Sequence, residues 1–216
     1  MSKIELIDWR TIDYKDAWDR QEQLFQSQID RKSRGEKTEN TLIFCFHPNV
    51  YTIGKSGKEQ NMLLDDGSVP IYRTNRGGDI TYHGYGQIVG YPIFDLESLG
   101  VGLKEYIFRI ESSIINVLAG YGIKAEHYPE GTGVWIDTDN PQKARKICAI
   151  GVRSSRFITM HGFALNVNTD LSYFKRINPC GFTDRGVTSM RRELEREVDI
   201  EEVKNNLYNE ILRQFL

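Results

Sequence analysis

The chain has 216 residues, of which 39% are hydrophobic and 27% charged, and its formal net charge is −2. This composition is typical of a globular protein and gives no basic signature for nucleic-acid binding. Its three cysteines, Cys45, Cys148 and Cys180, are too scattered for a disulfide framework or a structural zinc site. We find no apolar signal-peptide core and no run of eighteen apolar residues, so we expect a cytoplasmic protein without a membrane span.

Short apolar runs alternate with polar segments in the first hundred residues. Ile4–Trp9 predicts a strand and Tyr14–Arg31 a polar helix. Thr41–Phe46 is almost entirely apolar, which is typical of a buried strand. The Asp-Asp-Gly sequence within Leu64–Val69 predicts a turn, and Gln87–Leu96 predicts another strand.

The clearest helix of the sequence is Leu103–Tyr121, because its apolar residues recur at helical spacing and Gly122 follows it. A last helix is predicted from about Ile200 to Phe215, with Asp199 as its N-cap. Three more strands lie between these helices, at Gly133–Ile136, Lys146–Val152 and Phe157–Val167. Since the strands come in runs, we expect one α+β domain over residues 1–216, with a mixed or antiparallel sheet backed by helices.

A glycine-rich segment, RGGDITYHGYGQ, covers residues 76–87. Four glycines in twelve residues let the backbone approach a ligand closely, and the exposed N–H groups of such a loop can bind an oxygen. Arg76 and His83 add polar groups to it. A glycine-rich turn between strands with a surface histidine is an equally good interpretation, and no helix follows, so it is not a Rossmann fingerprint.

The strand KICAIGVR carries a lysine, Lys146, among apolar residues. A buried ammonium needs a partner, and burial beside an ion pair is what tunes a lysine for proton transfer. From the residues alone, the favoured interpretation is that Lys146 starts the strand and reaches water. Strict alternation puts Cys148 on the same strand face, which makes it a rival thiol, although a buried cysteine is usually a small hydrophobe.

Two later segments carry further candidates. HGFALNVN, residues 161–168, predicts a strand that either lines a pocket or lies in the core with a satisfied histidine. NPCGF, residues 178–182, holds Cys180 on a tight turn, where a thiol can be a nucleophile if a neighbour stabilises its thiolate. Cys148, His161 and Cys180 lack zinc-type spacing, so no metal site is expected.

Taken together and in this order, the four segments resemble the lipoyl(octanoyl) transferase family. The resemblance implies a fold of the biotin/lipoate protein ligase type, an α+β domain around a curved mixed sheet. It also implies transfer of an octanoyl group from octanoyl–acyl carrier protein to a lysine on lipoyl domains of 2-oxoacid dehydrogenases and on the glycine-cleavage H protein. No cofactor is implied, because the donor thioester already carries the activation.

The resemblance also implies roles for particular residues. Cys180 matches the acyl-thioester nucleophile of the family and Lys146 matches its dyad partner. The residues expected to bind the acyl substrate are Arg76, Gly77, Gly78, Asp79, Ile80, Thr81, Tyr82, His83, Ala149, Ile150, Gly151, Gly162, Phe163 and Ala164. Tyr85 departs from the family, which usually has proline there, but the change removes no chemical group.

Two alternatives remain beside this interpretation. An ATP-dependent lipoate– or biotin–protein ligase would share the fold, but the Pro-Cys-Gly turn argues against it. A non-catalytic protein that binds acyl carrier protein would not need both Cys180 and Lys146. The covalent mechanism requires these two side chains within hydrogen-bond reach, or one water apart, in a cleft walled by residues 76–83 and 161–164.

Overall fold

The computed structural model describes residues 3–178 and 186–216. Its strands are β1 (Ile4–Thr11), β2 (Asn40–Phe46), β3 (Val50–Ile53), β4 (Ile71–Arg73), β5 (Ile80–His83), β6 (Gln87–Ile93), β7 (Glu126–His127), β8 (Val134–Ile136), β9 (Arg145–Ser155), β10 (Ile158–Asn166) and β11 (Gly186–Val187). Its α-helices are α1 (Tyr14–Ser33), α2 (Leu103–Gly120), α3 (Met190–Leu194) and α4 (Ile200–Phe215). Two short 3-10 helices lie at Glu59–Asn61 and Leu171–Arg176.

The larger sheet has the strand order β1-β2-β6-β10-β9-β8-β7, with β11 added beside β9. The β1–β2 and β11–β9 pairs are parallel, and the remaining pairs of this sheet are antiparallel. A smaller sheet has the order β4-β3-β5. The predicted α+β class with a mixed sheet is therefore confirmed.

Helices cover both faces of the large sheet, which explains why β2 is apolar without interruption from Leu42 to Phe46. Leu42 and Phe44 pack into a core with residues of α2 and α4. Ile43 and Cys45 point to the opposite face and pack with residues of α1. Successive strand residues alternate in this way, so a strand covered on both faces loses its apolar–polar alternation.

The longer predicted elements are confirmed to within a few residues, and the last helix begins and ends where the sequence placed it. Asp199 caps α4 by accepting hydrogen bonds from the backbone N–H groups of Glu201 and Glu202. No sequence pattern predicted β3, β4, β5, β7 or β11, because strands of two to four residues are too short to show a period. Among the described residues, no helix is long and apolar enough to span a membrane.

Candidate active site

A cavity of about 300 Å³ lies between the large sheet and the glycine-rich segment. Strands β6, β9 and β10 form its floor, and residues 76–83 form its roof. The volume is at the lower end of the range for small-molecule sites, about 300 to 1,000 Å³. The predicted site residues that line it are Arg76, Gly78, Asp79, Ile80, Thr81, His83, Lys146, Ala149, Ile150, Gly151, Gly162, Phe163 and Ala164.

Two predicted binding residues do not line the cavity. The backbone N–H of Gly77 donates to the carbonyl of Val152 at 2.9 Å, which ties the roof to β9. Tyr82 points away from the cavity, donates its hydroxyl to Asn49 Oδ1 at 2.8 Å and stacks on Tyr173. Because strand residues alternate, the neighbours of Tyr82 face the cavity and its own ring cannot.

The roof and the floor approach each other closely at Gly151. A Cβ atom at this position would lie 2.8 Å from the carbonyl oxygen of Gly77, so any side chain would push the roof away. Gly78 has a φ of +81°, in the left-handed region that favours glycine. These two glycines therefore allow the close contact between the roof and β9.

A β-bulge in β9 directs Lys146 into the cavity. Val134 of β8 pairs with Cys148, whereas its neighbour Trp135 pairs with Lys146, so β9 has one extra residue at Ile147. Ile147 and Cys148 both pack into the apolar core, and Lys146 lines the cavity. The expectation that Lys146 and Cys148 share a strand face is wrong, because the bulge interrupts the alternation on which it rested.

The Lys146 ammonium lies over the ring of Trp135, 4.7 Å from the ring centroid. The indole N–H of Trp135 donates to the carbonyl of Gly131 at 2.9 Å, and Gly131 itself lines the cavity. Glu111, a buried carboxylate on α2, accepts a hydrogen bond from the N–H of Gly133 at 2.8 Å. Lys146 is thus held at the cavity against the Trp135 ring, and Glu111 of α2 holds the backbone of Gly133, just before β8, in place.

Cys148 is fully buried and has little access to a substrate. Its side chain has no exposed area and packs in the core beneath the large sheet. Burial raises the pKa of its thiol well above the ordinary value. Both features disfavour a nucleophilic role.

Cys180 lies outside the described residues, but Phe174 before it and Val187 after it line the cavity. The N–H of Asn178 donates to the carbonyl of Asn61 at 2.7 Å, and Asn61 bonds to Asp79 in the cavity roof. On the other side, β11 pairs with the start of β9, and Thr188 donates its N–H to the carbonyl of Lys146 at 3.0 Å.

Two histidines, His83 and His161, line the cavity and are buried. His83 is therefore not the surface histidine of the alternative interpretation. Burial lowers the pKa of each imidazole to about 3, and the Arg76 guanidinium adds to the effect. Both rings are consequently neutral at neutral pH and are weak bases.

Several lining residues were not predicted to belong to the site. They are Tyr14, Gln87, Val89, Tyr91, Glu130, Gly131, Thr132, Asn166, Phe174 and Val187. Gln87 and Asn166 are within the motifs of the sequence, and their pairing across β6 and β10 places them together. Tyr14 and Tyr91 gave no signal, because an aromatic residue in a helix or strand is more often part of the core.

Comparison with known proteins identifies the family. Residues 13–212 match the model of the lipoyl protein ligase A/B catalytic domain. The chain belongs to this family. It is 53% identical over 214 residues to an octanoyltransferase of Bacteroides fragilis, covering 97% of this chain and 96% of that one. It is also 53% identical over 216 residues to an octanoyltransferase of Bacteroides thetaiotaomicron, covering 98% and 95% of the two chains. The prediction of an acyltransferase of this family is confirmed.

Solved structures with the same fold are more distant in sequence. A bipartite lipoate protein ligase from Thermoplasma acidophilum has a TM-score of 0.70 at 18% identity and covers 99% of this chain and 84% of that chain. A biotin protein ligase from Aquifex aeolicus has a TM-score of 0.53 at 13% identity, with coverages of 99% and 69%. These likenesses confirm the biotin/lipoate protein ligase fold.

Proposed function

We propose that this chain transfers an octanoyl group from octanoyl–acyl carrier protein to a lysine of lipoyl domains and of the glycine-cleavage H protein, the first step of lipoate biosynthesis. The octanoyl group is supported by the names of the relatives that share half of its residues, and they do not favour the ATP-dependent ligase. The observation that carries the proposal is Lys146, directed by the bulge into a cavity walled by the predicted segments.

The first half-reaction forms an acyl-enzyme. The Cys180 thiolate attacks the thioester carbonyl, the bond to the phosphopantetheine sulfur breaks, and the octanoyl group is left on Cys180. Lys146 as an ammonium stabilises the Cys180 thiolate and then protonates the leaving sulfur.

The second half-reaction forms the amide. The lysine amine of the lipoyl domain attacks the Cys180 thioester, and the bond between the carbonyl carbon and the Cys180 sulfur breaks. Neutral Lys146 accepts the proton that the amine loses, and Cys180 leaves as a thiolate beside the Lys146 ammonium, which restores the starting state. Converting a thioester into an amide lowers the free energy, so the reaction requires no ATP, metal or organic cofactor. A reducing compartment such as the cytoplasm keeps the Cys180 thiol available.

The cavity histidines are poor substitutes for Lys146 in this scheme. A general base is most effective when its pKa lies near the operating pH. The pKa of about 3 for His83 and for His161 is far below neutrality, so neither ring accepts a proton readily from a thiol or an ammonium.

Intact mass measurement after mixing with octanoyl–acyl carrier protein tests the proposal. We expect the wild-type chain to gain the mass of one octanoyl group and Cys180→Ala to gain none. When lipoyl domain is then added to the wild-type adduct, the adduct should disappear and the lipoyl domain should become acylated. Free octanoate with ATP should acylate neither protein. Acylation of the lipoyl domain from octanoate and ATP would instead identify a ligase, and release of free octanoate from the adduct would identify a hydrolase. Absence of any adduct would leave a non-catalytic binding protein.

A further inference from the structure

The residues that line the cavity change from polar to apolar along the strands of its floor. At one end lie Lys146, Gln87 and Asn166, with the Gln87 amide donating to Asn166 Oδ1 at 2.9 Å. Ala164 lies in the middle, paired with Ala149 on β9 and with Val89 on β6. Small apolar side chains therefore line this part of the cavity.

Two polar aromatic residues line the opposite end of the cavity. His161 pairs with Val152, three residues beyond Ala164 along β10, and Tyr91 lies on β6 two residues beyond Val89. Both side chains line the cavity and are almost fully buried, at 1% and 4% exposure. The register therefore places His161 and Tyr91 at the end farthest from Lys146.

The length of this path can be compared with that of an acyl chain. A strand rises about 3.3 Å per residue, so His161 lies roughly 17 Å from Asn166 along β10. Carbon–carbon bonds of about 1.5 Å at about 111° advance roughly 1.25 Å each, so the seven bonds of an octanoyl group span about 9 Å. An octanoyl group with its carbonyl carbon at the level of Asn166 ends near Phe163. A dodecanoyl group extends about 5 Å further, to about 14 Å, so its last carbon is only about 3 Å short of the level of His161, which is closer than a van der Waals contact of about 3.5–4.0 Å.

Buried hydrogen bonds fix this end wall in place. His161 donates from Nε2 to Asn75 Oδ1 at 2.6 Å, and its backbone N–H donates to Gln21 Oε1 at 3.1 Å. The Tyr91 hydroxyl donates to His47 Nε2 at 2.7 Å. A longer chain would have to displace these side chains and leave buried polar groups without partners, which is unfavourable.

We infer that His161, with Tyr91 beside it, sets the upper limit on the length of the acyl chain that the cavity accepts. The inference rests on the proposed function, since it concerns the acyl group of that reaction. His161 acts by excluding longer chains and takes no part in the bond-making steps.

Acyl transfer from carrier protein loaded with octanoyl, decanoyl or dodecanoyl groups tests this limit. Because His161 has a φ of +58°, His161→Gly and His161→Asn are the variants most compatible with its backbone. Single-turnover rates of adduct formation, followed by intact mass, give the dodecanoyl-to-octanoyl ratio. We expect His161→Gly to raise this ratio about tenfold or more over wild type, and His161→Asn to raise it less.

Thr159→Val is the matched control, because Thr159 is a buried polar residue on the same strand that does not line the cavity. It should keep the wild-type ratio. Ala164→Val narrows the middle of the cavity and should shift preference from octanoyl to hexanoyl carrier protein, which serves as a second measurement if His161→Gly does not fold. An unchanged chain-length profile in the folded variants would overturn the inference while leaving octanoyl transfer intact. A wild-type chain that forms no acyl adduct would overturn the proposed function and the inference together.

Discussion

Lys146 has two tasks in the proposed mechanism, one as an ammonium and one as a neutral amine. Its side-chain nitrogen lies over the electron-rich face of the Trp135 ring, which attracts a cation. The second task requires that the proton can leave, which an arginine at the same position does not allow.

Lys146→Ala should slow acylation of Cys180 by about 10²- to 10⁴-fold, the usual contribution of a general acid–base group. Lys146→Arg should restore part of the acylation rate, because a guanidinium also stacks on Trp135, but it should not restore transfer to the amine. Single-turnover acylation and transfer, each followed by mass spectrometry, separate the two effects.

Lys143→Ala provides the control for these variants, since Lys143 is an exposed lysine three residues earlier in the chain. Both of its half-reactions should run at wild-type rates. Near-normal rates of both half-reactions in Lys146→Ala would remove Lys146 from the mechanism.

At the scale of elements, the bulge in β9 separates two side chains, Lys146 and Cys148, that strict alternation would place on the same strand face. It sends Lys146 to the cavity and Cys148 to the core. The parallel pairing of β11 with β9 then brings the chain that follows Cys180 alongside Lys146. One irregular residue in a strand thus keeps Cys148 out of the cavity that Lys146 lines.

Cys148→Ala should therefore keep the octanoyl adduct and most of the transferase activity. The substitution removes a buried sulfur from the core, so the free energy of unfolding should fall by about 1 kcal/mol. Intact mass and a urea titration measure the two effects. The assignment is reversed if the adduct disappears in Cys148→Ala and persists in Cys180→Ala.

At the scale of the whole molecule, three buried histidines link stability to pH. Burial lowers the pKa of His47 to about 4 and those of His83 and His161 to about 3. Their unfolded pKa is about 6.5, so below that pH the unfolded chain binds protons that the folded chain does not. The folded state is therefore stabilised above pH 6.5 and loses this stability as the pH falls towards 4.

We expect the free energy of unfolding to fall between pH 6.5 and 4.5, with a slope of up to about 4 kcal/mol per pH unit if all three histidines contribute. Urea unfolding at half-unit pH intervals measures this slope. His47→Gln should reduce the slope by the share of one proton, about 1.4 kcal/mol per pH unit. A stability that is constant from pH 7 to pH 5 would contradict the assignment.

The sequence by itself determined the long elements and the family. Leu103–Gly120 and Ile200–Phe215 were predictable because the spacing of apolar residues along one helix face is a local property. The ordered motifs identified the family and gave Lys146 and Cys180 their candidate roles, because each motif is contiguous in the chain. Most of the cavity walls were predictable for the same reason.

Only the tertiary structure decided how these segments face one another. The bulge at Ile147 exists because β9 pairs with β8. The ring of Tyr82 points away from the cavity because β5 belongs to the second sheet. His161 closes the cavity because its strand lies beside β6 and β9 in a particular register. Each of these features depends on pairing between segments that are far apart in the chain, and no local pattern of residues encodes that pairing.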